Sequence, residues 1–168
     1  MNKSSNIARG GLSVALIVLL VYMASIAPTS KLSILAVSSA IIPYSILTSK
    51  GKNSFVVYVT ASILSLVLIG PKVETVGYAL FFGLYGFLKY YIERINKALY
   101  EIILKLLYFN VILFILYSLY TKLFTSAISE VLPIYAVLLL AQIAFFVFDY
   151  ALTVIISYMR KRFIKDFK

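Results

Sequence analysis

Long apolar stretches, split by short polar breaks, run through the whole of this 168-residue chain. Each stretch has about 16 to 28 residues, and a helix needs roughly 20 to cross a bilayer. The predicted helices cover residues 11–27, 32–48, 54–69, 75–91, 101–121 and 131–158. Because 62% of all residues are apolar, well above the share in soluble domains, the sequence predicts an all-α membrane protein. Its single domain, residues 1–168, is expected to be a bundle of six transmembrane helices.

The basic residues predict the orientation of this bundle, since Lys and Arg concentrate on the cytoplasmic side of membrane proteins. With the N-terminus inside, only three basic residues fall on the outer side, namely Lys31, Lys72 and Lys122. The other thirteen fall on the inner side: Lys3, Arg9, Lys50, Lys52, Lys89, Arg94, Lys97, Lys105, Arg160, Lys161, Arg162, Lys165 and Lys168. We therefore expect a multi-pass protein of the cell (plasma) membrane with both termini in the cytoplasm. The net charge of +10 then indicates attraction to the anionic inner leaflet of the bilayer rather than to nucleic acid.

The composition excludes most catalytic and metal chemistry. There is no cysteine and no histidine, and only six residues are acidic. The commonest general base and the usual zinc ligands are therefore missing. No phosphate loop, dinucleotide motif or catalytic triad occurs in the sequence. We expect no catalytic residues, no bound metal, no cofactor and no enzymatic activity.

Asp149 is the main candidate for a polar site, because it lies near the middle of the last predicted helix. A carboxylate at that depth costs roughly 2.5–3.5 kcal/mol, so such residues normally face the bundle and have a partner. Asn110 lies at a similar depth on the fifth helix, and Lys105 lies nearer the cytoplasm. Gln142 and Thr153 share one helical face with Asp149 by the 3.6-residue period. These residues form either a ligand, proton or ion site or a polar clamp between helices.

Small residues predict where helices approach one another closely. Gly11 and Ala15 form a small-xxx-small pair on the first helix, and such pairs allow close helix packing. Their partner is either another helix of this chain or another protein. Glycines of the fourth helix are expected to act similarly, and these are Gly77, Gly83 and Gly86.

Charged residues spaced by four connect the fourth and fifth helices. Lys89, Glu93 and Lys97 follow this spacing, as do Glu101 and Lys105. Pairs at this spacing are ordinary on exposed helix surfaces. The sequence therefore predicts a solvated, amphipathic connection on the inner side.

The overall layout resembles the substrate-binding S components of energy-coupling-factor transporters. Those proteins have six helices, both ends inside and a small-residue motif on the first helix, which Gly11 and Ala15 match with glycine at the first position. The resemblance implies partners, namely a coupling transmembrane subunit and ATPase subunits, together with a small-molecule ligand bound near the outer face. Segments 81–89, 92–94 and 148–153 also resemble an uncharacterised bacterial family of six-helix membrane proteins.

Two classes of function follow from these features. The first is a membrane-embedded subunit that binds and transports a small molecule and is energised by partner subunits. The second is a structural or assembly protein of the membrane that has no ligand. A membrane-embedded enzyme and a small channel or proton pathway are further alternatives.

Overall fold

The computed structural model describes residues 3–49, 51–95, 97–123 and 134–165, and nearly all of these residues are helical. No strand occurs in these ranges, so the prediction of an all-helical protein is confirmed. The α-helices are α1 (Lys3–Ile26), α2 (Lys31–Ser49), α3 (Gly51–Ile69), α4 (Val73–Gly77), α5 (Gly83–Ile92), α6 (Ala98–Leu123) and α7 (Ile134–Lys165). A π-helical turn, Tyr78–Phe82, lies between α4 and α5, and a 3₁₀ turn, Glu93–Ile95, follows α5.

Helices α4 and α5 are continuous through the π-helical turn. The backbone keeps right-handed helical angles at both junctions, with φ −61° and ψ −40° at Gly77 and φ −69° and ψ −47° at Gly83. We call the whole of 73–92 the composite helix. With the composite helix taken as one element, the described ranges contain six helices, which is the number that the sequence predicts.

Four of these helices are long and apolar enough to cross a membrane. The corresponding segments are Asn6–Ile26, Lys31–Thr48, Ala98–Ser118 and Leu138–Lys161. A shorter apolar segment, Asn53–Ile69, lies in α3. Large apolar side chains such as Val67, Phe114 and Tyr150 are more than two-thirds exposed. Lipid tails solvate such side chains, whereas water does not, so the structure is compatible with a membrane protein.

The turn after α3 is tied to the start of α4. Gly70 has a φ of +91°, the left-handed conformation that commonly ends a helix. Its carbonyl accepts a hydrogen bond from the Thr75 hydroxyl at 2.8 Å. Pro71 follows and cannot continue a helix. The composite helix therefore starts in a defined direction.

The chain divides into two compact units, Met1–Ile112 and Leu113–Lys168, with the boundary inside α6. In the first unit, α1 packs against α2 and α3, and α2 also packs against α3 and α5. Ile17, Val21 and Ile42 are fully enclosed in this core. In the second unit, Phe145, Leu152 and Ile156 are buried, and their spacing places them on one face of α7. The single domain over 1–168 stays a prediction.

Helices α2 and α5 approach each other closely at a proline of α2. Pro43 has no N–H, so the carbonyl of Ser39, four residues earlier, loses its helical donor. A Cβ built on Gly86 would lie 2.6 Å from this carbonyl oxygen and 3.3 Å from Pro43 Cδ. Gly86 therefore fits into a notch at Pro43 that admits no side chain. This notch brings α2 onto the face of α5 that also carries Lys89.

Candidate functional site

The π-helical turn is held by tyrosine hydroxyls from two other helices. Within the turn, the Gly83 N–H donates to the Tyr78 carbonyl five residues back, which leaves neighbouring carbonyls without their usual donors. Tyr58 of α3 donates to the Ala79 carbonyl at 2.7 Å. Tyr108 of α6 donates to the carbonyls of Leu80 at 2.9 Å and Phe81 at 3.2 Å. Because unpaired backbone groups are costly in a membrane, these hydroxyls stabilise the turn.

Aromatic rings stack beside this turn and connect α5 to α6. The centroids of Tyr85 and Tyr108 lie 5.6 Å apart with ring planes at 24°. Phe81 stacks on Tyr85 at 6.0 Å, and Phe109 meets Phe81 edge-on at 5.8 Å. Such pairs contribute about 0.5–1.5 kcal/mol each beyond the area they bury. The stack fixes the middle of α6 against α5 and the π-helical turn.

Next to the stack lies an ionic cluster, which we define as Lys89, Glu93 and Lys105. One carboxylate oxygen, Glu93 Oε1, lies 2.8 Å from Lys89 Nζ and 3.2 Å from Lys105 Nζ. The Lys89 side chain is fully enclosed, that of Lys105 is 10% exposed and that of Glu93 is 24% exposed. Lys89 Nζ also lies 6.0 Å from the centroid of the Tyr85 ring. Two ammonium groups thus share one carboxylate oxygen in a largely buried site.

The expectation of a solvated surface is wrong for Lys89 and Lys105. The predicted i,i+4 pair of Lys89 and Glu93 does form, but its lysine is fully enclosed. Gly86, one helical turn before Lys89, packs against Ser39 and Pro43 of α2. Sequence spacing indicates the ion pair but not its burial. The sequence signal for this burial is the pair of glycines on the same helix, Gly83 and Gly86, because they allow close packing.

Several buried hydroxyls in the first unit have no hydrogen-bond partner among the described residues. They belong to Ser39 of α2, Ser65 of α3 and Tyr78 of the π-helical turn. The Tyr78 ring lies against Gly83, where an added Cβ would be 3.0 Å from its Cζ. A buried hydroxyl without a partner costs about 1–3 kcal/mol. These groups are therefore available to a small polar molecule or to water.

An ion pair joins the starts of α2 and α4 at the end predicted to face outward. Lys31 Nζ lies 2.6 Å from Glu74 Oε1. Burial of Glu74 would raise its pKa, but the Lys31 hydrogen bond, a backbone hydrogen bond and the charges of Lys31 and Lys72 together lower the pKa below its usual value. The carboxylate therefore stays ionised at neutral pH.

The predicted polar residues of the last helices fall in different units. Asn110 belongs to the first unit, is exposed, and donates its amide hydrogen to the Leu106 carbonyl at 2.8 Å. Asp149 and Gln142, in the second unit, are half-buried. Thr153 is exposed, and its hydroxyl donates to the Asp149 carbonyl at 3.0 Å. The contact of Asp149 with Asn110 stays a prediction. The structure brings Lys105 together with Glu93.

Gly11 and Ala15 line an open apolar groove of ≈650 Å³ between α1 and α3. Tyr22 of α1 and Leu64 and Leu68 of α3 complete its wall. A Cβ on Gly11 would meet no atom of the described residues within 4 Å, so this face of α1 is open. The first helix instead approaches α3 at Gly10, whose added Cβ would lie 3.5 Å from Val57 Cγ2.

The glycines of the composite helix divide into two kinds. Added Cβ atoms at Gly83 and Gly86 would crowd their neighbours at 3.0 Å and 2.6 Å. At Gly77 an added Cβ would meet no described atom within 4 Å. The expected close packing therefore occurs at Gly83 and Gly86, and it does not occur at Gly77.

The chain matches no protein-family model, no curated protein and no solved structure. In the described ranges, no cluster of three or more acidic residues could hold a metal ion. The candidate site is therefore defined by this chain's own geometry. It comprises the π-helical turn with its tyrosines, the adjacent ionic cluster, and the open groove on α1.

Proposed function

We propose that the chain crosses the plasma membrane six times with both termini in the cytoplasm. Four helices are long enough for this role, and two shorter ones complete the count. Helix α3 contributes the apolar segment Asn53–Ile69, and the composite helix has about 20 residues, the length that a span needs. The thirteen-to-three division of basic residues favours this orientation.

We further propose that the protein is a small-molecule binding and transport subunit that works with energising partner subunits. The observation that carries this proposal is the open groove at Gly11 and Ala15. The rest of α1 packs on α2 and α3, while this small-residue face remains available to a helix of another subunit. A coupling transmembrane subunit, itself joined to ATPase subunits, is the proposed occupant.

The buried hydroxyls support a ligand for this subunit. In the proposed orientation, Ser65 and Tyr78 lie in the outer half of the span, where the resemblance to S components locates a ligand. Each hydroxyl is buried without a partner among the described residues. A small polar molecule would supply the missing hydrogen bonds, and its binding would offset the cost of burying these groups.

A structural or assembly role without a ligand is the second candidate. The same groove favours it, because a partner helix can dock there whether or not anything is transported. The two candidates differ in what docks: an assembly protein needs neither an ATPase pair nor a ligand.

The test is co-purification of the tagged full-length chain from its native membrane in mild detergent. We expect a coupling membrane subunit and two ATPase subunits to be identified by mass spectrometry. Gly11→Leu and Ala15→Leu should abolish this co-purification while the chain still folds, since both positions are exposed. Ala151→Leu, at an exposed position of α7, is the matched control and should retain the partners.

Two results would contradict the transport proposal. One is that no ATPase subunit co-purifies with the wild-type chain, a result that would favour the assembly role. The other is full retention of the partners by both groove variants, which would remove the groove as the contact. A loss of folding in either groove variant would show that the groove is filled within the chain.

A further inference from the structure

The turn between α5 and α6 concentrates positive charge. Residues 89–105 contain four basic and two acidic side chains. Two of the basic side chains, Lys89 and Lys105, are buried in the ionic cluster with Glu93. The other two, Arg94 and Lys97, are exposed on the turn itself. The second acid, Glu101, is half-buried on the first turn of α6.

The surroundings of this turn resemble a membrane interface. Lys97 Nζ lies 5.6 Å from the centroid of the Tyr100 ring, and Tyr91 and Tyr100 are both exposed. Exposed tyrosines are enriched at the level of lipid headgroups. Lys105 leans toward the N-terminal end of α6, as helical side chains do, and its ammonium group reaches Glu93 at the turn. The ammonium group of Lys105 therefore lies at the turn that also carries Arg94.

We propose that this turn binds a phosphate group, supplied by an anionic phospholipid of the inner leaflet or by free phosphate. Basic pockets between transmembrane helices on the cytoplasmic side commonly hold lipid headgroups in this way. Arg94 and Lys97 form the exposed rim. Lys105, which is slightly exposed and is held by Glu93, forms the floor. The inference rests on the proposed topology, in which residues 93–97 face the cytoplasm.

Charge balance explains why a phosphate fits here. Residues 89–105 carry an excess of two positive charges. Burying ammonium groups is costly unless anions pair with them. Glu93 serves both buried lysines through a single oxygen. A phosphate held by Arg94 and Lys97 at the rim would neutralise part of this excess without contacting the Glu93 carboxylate.

The test is native mass spectrometry of the full-length chain in neutral detergent. Phosphatidylglycerol and phosphatidylcholine with identical acyl chains are the two lipid probes. We expect the chain to retain one molecule of phosphatidylglycerol in preference to phosphatidylcholine. Lys105→Gln should lower its affinity about fivefold, the effect of one basic residue at a membrane surface. Lys105→Arg should restore it. The double variant Arg94→Gln/Lys97→Gln changes only exposed residues, and we expect it to lower the affinity even if Lys105→Gln does not fold.

The matched control removes two basic residues elsewhere on the chain. Arg160→Gln/Lys161→Gln lies at the exposed end of α7 and should keep the selective binding. The proposal would be overturned if the control and the rim variant lost phosphatidylglycerol affinity to the same extent. It would also be overturned if the wild-type chain retained both lipids equally. Displacement of the lipid by inorganic phosphate would identify free phosphate as the source, and resistance to displacement would identify the lipid. An error in the proposed topology would be detected by reporter fusions and not by lipid binding. Failure of the topology and failure of the phosphate site can therefore be distinguished.

Discussion

Replacing Gly86 with alanine places a methyl group where the α2 backbone already lies. The new Cβ would lie 2.6 Å from the Ser39 carbonyl oxygen and 3.3 Å from Pro43 Cδ. Because the first obstacle is backbone, α2 and α5 must separate. Overpacking of this kind costs about 1–3 kcal/mol, and the gain in helix propensity returns about 1 kcal/mol. We expect a net loss of up to about 2 kcal/mol.

The assay is thermal unfolding in mild detergent, with Gly77→Ala as the matched control. Gly77 lies in the same composite helix, and its added Cβ would meet no described atom within 4 Å. We therefore expect Gly77→Ala to stabilise the protein by about 0.5–1 kcal/mol. If Gly86→Ala proved as stable as Gly77→Ala, the close approach of α2 and α5 would be refuted.

Three further predictions concern polar groups. Tyr108→Phe removes the donor to two π-turn carbonyls and should cost about 1–3 kcal/mol in thermal unfolding, whereas Tyr22→Phe, at an exposed position, should change little. The lowered pKa of Glu74 means that its ion pair with Lys31 stabilises the fold fully at neutral pH, and that this stability is lost as the pH falls through the lowered pKa. Because Lys31 is 43% exposed, we expect at most about 1 kcal/mol, and Glu74→Gln should remove that part of the acid sensitivity in unfolding scans. Asp149→Asn should leave stability unchanged, and a loss of ligand binding or transport in that variant would identify a functional carboxylate rather than a clamp.

Each of these predictions has a contrary result. Equal stability of Tyr108→Phe and Tyr22→Phe would mean that the hydroxyl does not hold the π-helical turn. An unchanged acid sensitivity in Glu74→Gln would exclude its ion pair as the cause. Marked unfolding of Asp149→Asn would show that the negative charge itself is structural.

The apolar stretches predict the helices well because bilayer length and hydropathy determine them. The helix ends are predicted less well. Helix α1 begins at Lys3 and α7 continues to Lys165, whereas the apolar stretches predict 11 and 158. Hydropathy marks the part of a helix that suits lipid, and backbone hydrogen bonding continues into the polar flanks.

The π-helical turn could not be predicted, because it depends on partners distant in the sequence. Tyr58 and Tyr108 supply the hydroxyls that make the turn stable, and nothing in 73–92 alone indicates them. The burial of Lys89 likewise depends on tertiary packing, which its spacing in the sequence does not reveal. Its spacing from Glu93 is equally typical of an exposed pair.

Small residues also show the difference between what the sequence signals and what tertiary packing decides. Gly11 and Gly86 carry the same sequence signal, yet Gly86 touches a backbone and Gly11 faces an open groove. The signal predicts that a helix can approach but not whether one does. Only tertiary packing distinguishes an internal contact from a surface available to a partner.

Reporter fusions to the full chain test the central claim, that the protein crosses the membrane six times with both termini inside. Fusions after Lys52, after Lys97 and at the C-terminus should be active only as cytoplasmic reporters. Fusions after Ser30 and after Lys72 should be active only as outer reporters. A cytoplasmic signal after Lys72 would contradict the account, because α3 and the composite helix would then not span the membrane as two separate crossings.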